Sequence, residues 1–247
     1  MSEPDELRVI PVRGLPEIEP GAKLGASIAE HPELADGDVV VISQKIVSKA
    51  EGRIRHLSSV IPGAEARKLA AVLGKEPALV QLILDESAEV LRAERGVLIT
   101  ETRHGFVCAN AGVDSSNLPD DDTVCLLPED PDASARRIRG ELSPVIGVVI
   151  ADSFGRAWRL GQAEVAIGCA GLIPLDDWRG RPDAHGRELE ATLIAIADEA
   201  AAAADLVRAK DSRTPVAIVR GLSRFVTAED GPGAHTLRRP RADDLFR

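Results

Sequence analysis

Three runs constrain this chain more than anything else in it. DVVVIS (38–43), VIGVVIAD (145–152) and PVAIVRG (215–221) are β-branched and apolar with almost no break. A strand with one wet face alternates apolar and polar residues, so unbroken runs predict strands covered on both faces. LRVIPV (7–12), GVLITET (96–102), GFVCAN (105–110) and VAIGCAG (165–171) are also bounded by Gly, Pro or Asp and read as further strands. ETRHGF, between two of them, predicts a hairpin with Gly105 in the turn. Helical periodicity is read over 63–73, 77–92 and 186–206; in the last, Leu189, Leu193, Ile196 and Ala200 share one face. Pro77 suits a first helical turn and Gly74 the end of the preceding helix. Polar loops are expected at 113–123, 153–162 and 208–214. The pattern predicts an α+β chain of mixed sheets with hairpins rather than a regular βαβ repeat. Residues 1–247 are read as a single unit, with room for two intimately packed subdomains.

Composition narrows the functions available. Aromatic residues are 2% of the 247 and Tyr is absent, which removes the stacking platforms of single-strand nucleic-acid binders. The net charge of −10 repels phosphate backbones, so an anionic substrate requires a local cluster of cations or metal ions. Cys108, Cys125 and Cys169 sit among small apolar residues without zinc-ligand spacing, as reduced cytoplasmic thiols do. The acidic N-terminus lacks the apolar core of a signal peptide, and no run approaches the roughly 18 apolar residues of a membrane span. A soluble cytoplasmic protein is expected.

Polar groups gather at strand ends in three places. SQKIVSK (43–49) puts Ser43, Gln44, Lys45, Ser48 and Lys49 at the mouth of a strand. CANAGVDSSN (108–117) leads to Asp114 and Asn117, and IADSFGRAWRLGQ (150–162) runs into Asp152 and Ser153, followed by Arg156, Arg159 and Gln162. Carboxylates beside a hydroxyl form an oxygen donor set suited to Mg²⁺ or Mn²⁺, and nearby cations would neutralise phosphate. A metal–nucleoside triphosphate fits that set. No Walker-type phosphate loop, zinc-binding His spacing or nucleophile elbow is present. Two other readings of the same residues are a metal-dependent nucleotide phosphohydrolase and a non-catalytic nucleotide-binding module.

VVVISQKIVSKAEGR, CANAGVDSSN, IADSFGRAWRLGQAEVAIGCAGL and TPVAIVRGL together resemble, in order, the coenzyme F-420-0:gamma-glutamyl ligase family, from about residue 8 to about 225. The resemblance implies a homodimeric enzyme of that family's fold. It would use GTP to join L-glutamate to a deazaflavin coenzyme precursor, by way of an acyl phosphate, with further γ-linked glutamates allowed. Two divalent ions, Mg²⁺ or Mn²⁺, are implied, and a monovalent cation is allowed for. Position by position, the nucleotide falls to Gly14, Leu15, Pro16, Glu17, Ser43, Gln44, Lys49, Asn117 and Lys210. The first metal falls to Asp114 and Asp152, and the second to Ser153 and Lys210. The chain departs from the family pattern at Ala209, at Ser212–Arg213, where Gly is common, and at Ala157, where Pro is. No general base is identified, and no C-terminal flavin-reductase-like domain is expected.

Overall fold

The computed structural model describes residues 6–116, 118, 120–209 and 211–245. In chain order its elements are β1 (Arg8–Val12), α1 (Leu24–Ala29), β2 (Val39–Ser43), α2 (Gln44–Ala50), β3 (Ile54–His56), α3 (Ala64–Leu73), α4 (Pro77–Asp85), β4 (Ser87–Glu94), β5 (Val97–Thr102), β6 (Val107–Ala109), β7 (Thr123–Cys125), α5 (Pro131–Gly140), β8 (Gly147–Arg156), β9 (Arg159–Ala170), β10 (Asp176–Asp177), β11 (Leu193–Ile194), α6 (Ile196–Asp205) and β12 (Val216–Arg220). The architecture is α+β with several sheets, the largest five-stranded in the order β1-β12-β2-β8-β9. Only β2 and β8 run parallel in it, from Val39 beside Gly147 to Ser43 beside Ala151. Among the described residues no helix is long and apolar enough to cross a membrane.

The unbroken apolar runs are the inner strands, and both faces of the sheet are covered by the chain's own helices. On one face, Val40, Ile42, Val148 and Ile150 pack with Ile28, Ile46 and Ile138 from α1, α2 and α5. On the other, Val39, Val41, Val149 and Ala217 meet the alanine face of α6. Covering the sheet therefore supplies no argument for a dimer. A third cluster lies under α3, α4, β4 and β5, where Leu98, Ile83 and Leu126 are buried.

Small residues in VAIGCAG set how close α5 comes. A Cβ on Gly168 would collide with the Pro131 carbonyl at the start of that helix. Asp130 caps α5 by accepting from the Ala133 N–H at 2.9 Å, and Pro131 takes the first helical position. From its last turn, Arg139 donates to Thr227 O and Ala228 O and pairs with Asp230 at 2.8 Å, fastening the C-terminal segment to α5.

Several segments differ from the sequence expectation. The helix read over 77–92 stops at Asp85: the Ser87 hydroxyl donates to Ile83 O at 2.6 Å, and 87–94 instead pairs with β5. Only 196–205 of the 186–206 stretch is helical. Its first half folds back on 176–182, with Asp177 opposite Leu193 and Pro182 opposite Glu188, and Gly186 sits at φ +81. The polar stretch 153–162 continues the β8–β9 hairpin as far as Arg156 opposite Arg159. SQKIVSK is the first turns of α2, entered from β2 with no loop.

Replacing Gly168 with Ala forces Pro131 and the start of α5 off the sheet. Overpacking of this kind costs about 1–3 kcal/mol. Chemical denaturation should show that loss; unchanged stability would mean that α5 is not seated as tightly as described.

Candidate active site

Strand direction explains why distant segments of sequence meet. The carboxyl ends of β1, β2 and β8 and the amino end of β12 lie at one edge of the sheet. The GLPE turn after β1, the β2–α2 junction, Asp152 of β8 and the 208–215 loop before β12 all emerge there. Ligands of open sheets bind outside the carboxyl ends of parallel strands. Ser43 N–H donates to Pro215 O at 2.8 Å, which joins the loop to the strand mouth. Lys49 of α2 pairs with Glu17 of the turn at 2.6 Å, and this bond holds the Glu17 carboxyl below its usual range, with Arg213 adding a weaker pull.

Asp114 arrives from the other layer. It is bridged to Cys125 through backbone bonds in both directions, after a turn in which Asn110, Ala111 and Gly112 are all left-handed (φ 54, 53 and 72). Such backbone is costly for non-glycine residues and clusters where geometry must be held. Lys45 Nζ reaches Asp114 Oδ2 at 2.7 Å, Ser116 O at 2.5 Å and Ser116 Oγ at 2.7 Å. Burial would raise the Asp114 carboxyl, but hydrogen bonds from Lys45 and Ser116 outweigh it and hold the group below the ordinary value.

Asp152 behaves in the opposite sense. Burial first, then the Glu164 carboxylate and more weakly that of Asp114, push its carboxyl up to about 7, against the Ser153 N–H and Lys45. Neighbouring residues of a strand project to opposite faces, so Ser153 turns away from Asp152 and donates to Glu164 Oε1 at 2.5 Å. Glu164 Oε2 meets Arg208 Nη2 at 3.2 Å, with only 7% and 6% of these side chains exposed. Arg208 Nη1 donates to Pro215 O. A continuous chain of bonds thus runs from Ser153 through Glu164 and Arg208 to Pro215 and Ser43.

Of the residues expected from sequence, Glu17 and Lys49 are joined directly, and Ser43, Asp152 and Ser153 lie at the same edge. Gly14 takes a left-handed φ of +80 in the GLPE turn; Leu15 packs on the core and Pro16 is exposed. Gln44, the first residue of α2, is buried and accepts from Ser48 Oγ at 3.0 Å. Arg156 does not point toward Asp152; it donates to Leu160 O and Gly161 O in its own hairpin. Asn117 and Lys210 lie outside the described residues. Arg213, where the resemblance favours Gly, has φ 52, the backbone Gly adopts most easily. Sequence reasoning missed Glu164 and Arg208 as a pair. The available signal was a carboxylate inside an apolar strand, which must find a partner.

The donors fit a divalent ion as half a site. Among the described residues, no three His, Cys, Asp or Glu side chains converge on one point. Mg²⁺ is ordinarily held by one or two carboxylates plus substrate phosphates, not by an all-protein cage. Asp114 and Asp152 would supply two such carboxylates.

The model of the F420-0:gamma-glutamyl ligase family matches residues 14–221. The Coenzyme F420:L-glutamate ligase of Methanothermobacter thermautotrophicus is 44% identical, covering 98% of this chain and 99% of the relative. Proteins of the same name from Methanocaldococcus jannaschii and Methanopyrus kandleri are 42% and 43% identical, each over 98% of both chains. The chain belongs to the F420-0:gamma-glutamyl ligase family, and by that membership it is a ligase.

Because folding lifts the Asp152 carboxyl above its ordinary value of 3.8, the folded chain binds that proton more tightly than the unfolded one. The resulting penalty on stability is full above pH 7 and fades as pH falls toward 4. Metal-free Asp152→Asn should therefore melt higher than the parent at pH 8, by roughly 2–4 °C for each kcal/mol relieved, and the gap should shrink at pH 5. Calorimetry showing the variant less stable at pH 8 would contradict this environment for Asp152.

Proposed function

We propose that the protein joins L-glutamate to the carboxylate of the deazaflavin precursor coenzyme F-420-0, with GTP as phosphoryl donor. The observation that carries this reading is the convergence of the GLPE turn, the β2–α2 junction, Asp114, Asp152 and the 208–215 loop at one sheet edge. Family membership and the names of the relatives support the choice of acceptor and amino acid.

In this reading the γ-phosphoryl group passes to a precursor carboxylate oxygen and GDP leaves. The glutamate nitrogen then forms the amide bond at the acyl carbon, loses a proton, and phosphate departs. The protein contributes position and charge. Lys49 and Lys45, now held by Glu17 and Asp114, are the cations within reach of phosphate oxygens. Asp114 and Asp152 would hold one divalent ion, Mg²⁺ or Mn²⁺, and Ser153 a second, with Glu164 and Arg208 fixing the orientation of Ser153. Bound there, the ions would supply charge neutralisation for the triphosphate. Residues 1–247 act as one catalytic unit, in the cytoplasm and as a homodimer.

Mass spectrometry after incubation with precursor, glutamate, GTP and Mn²⁺ should show the precursor heavier by a glutamyl residue. Phosphate release should require precursor and glutamate together. GTP hydrolysis that ignores both, without a mass gain, would overturn the reading. Asp114→Asn should lower turnover by roughly 10²-fold, the scale of losing a principal charge stabiliser, and near-normal turnover at low Mn²⁺ would remove Asp114 from the site.

A further inference from the structure

On the face of the sheet that carries Asp152 lies a cavity of about 420 Å³, within the range of small-ligand sites. Three parts of the chain wall it: the β5–β6 turn, the start of α5, and the C-terminal segment that Arg139 fastens down. Arg103, Arg136 and Arg238 line it, and among the described residues none of the three has a carboxylate partner. Two of the acids beside them are spent on backbone. Asp130 caps α5, and Asp132 accepts from the N–H groups of Cys169 and Ala234 at 2.8 and 2.7 Å. Glu129, Asp130 and Asp132 line the same cavity, so its charge is mixed, and the three guanidiniums, exposed and outside any ion pair, are free to take an anion.

The walls are preformed. His104 Nε2 donates to the carbonyls of Pro128 and Glu129 at 2.9 and 3.1 Å, which fixes the imidazole in a stack with Phe106. Arg238 lies 6.0 Å over the Phe106 ring, and its guanidinium packs where a side chain at position 105 would be: a Cβ on Gly105 would stand 2.7 Å from Nη1. Phe106 in turn meets Phe154 edge-on at 6.2 Å. Phe154 is two residues beyond Asp152 on β8 and therefore on the same face, and the Cys108 thiol two residues beyond Phe106 is raised to about 12 by burial and then by the Asp152 carboxylate. Phe106 lines the cavity, and Phe154 continues from it along the strand face that carries Asp152.

We propose that this cavity is the subsite that recognises the carboxylates of the non-nucleotide substrates. Arg103, Arg136 and Arg238 bind carboxylate, and Phe106 with His104 forms a flat wall. The proposal rests on the ligase reading. The carboxylate belongs to incoming glutamate or to the precursor, and steady-state kinetics of Arg103→Ala and Arg136→Ala separate the two. Loss of a charged hydrogen bond should raise the KM of one substrate by roughly ten- to a hundredfold, with kcat and the GTP KM within about twofold of the parent. A rise for glutamate assigns the cavity to the amino acid, and a rise for the precursor assigns it to the acceptor. A GTP KM that rises equally, or no KM change above twofold, overturns the proposal. An unmodified protein that makes no amide product would fail the ligase reading instead. Ligand-observed NMR with glutamate and with precursor then decides the cavity by itself: binding that Arg136→Ala loses upholds it, and binding that is absent or unaffected refutes it.

Discussion

Everything at the edge of the large sheet depends on carboxylates drawn together and partly or fully shielded from water. Asp152 of β8 feels the carboxylate of Glu164 on β9 and, more weakly, that of Asp114, while Lys45 and Arg208 are the cations that pair with Asp114 and Glu164. Each cation is already taken by one carboxylate. Among the described residues Asp152 has no ion-pair partner of its own, only the Ser153 N–H, and burial makes its charge expensive. A chain that keeps such a group forgoes stability when empty, and that pattern marks functional sites more often than structural ones. In the proposed function, an ion whose remaining positions are filled by phosphate oxygens would resolve the imbalance from outside.

The same charges organise what surrounds them. Glu164 is held on both oxygens, by Ser153 and by Arg208, and Arg208 also reaches Pro215 O at the end of the 208–215 loop. Whatever seats on Ser153 is therefore felt by the loop and, through Pro215, by Ser43. Removing one partner of a buried ion pair leaves an uncompensated charge costing about 3–5 kcal/mol, so this chain of bonds resists partial change. On the opposite strand face, Phe154 and Phe106 carry the site toward the arginine-lined cavity. One strand pair thus serves two chemical environments by the simple alternation of its side chains.

Much of this was legible in sequence. The unbroken apolar runs became the central strands, because only double coverage tolerates them, and Asp114 and Asp152 stood out as carboxylates at strand ends. What was hidden depended on tertiary partners. SAEVLRAE reads equally as helix or strand until β5 is beside it, and the alanine-rich 186–206 stretch loses its first half to pairing with 176–182. Helix α5 went unread because its apolar face is as narrow as Ala135 and Ile138, flanked by arginines, although Asp130 and Pro131 spell an ordinary helix start. Glu164 and Arg208 are 44 residues apart and become a pair only through the fold.

The central claim is that Asp114 and Asp152 form half of a cation site that the nucleotide completes. Electron paramagnetic resonance of Mn²⁺ titrated into the protein, with and without a non-hydrolysable GTP analogue, tests it most directly. The account predicts weak binding to the protein alone and tight binding once the analogue is present, lost in Asp152→Asn. Equally tight binding without nucleotide, or nucleotide-dependent binding that survives Asp152→Asn, would contradict it.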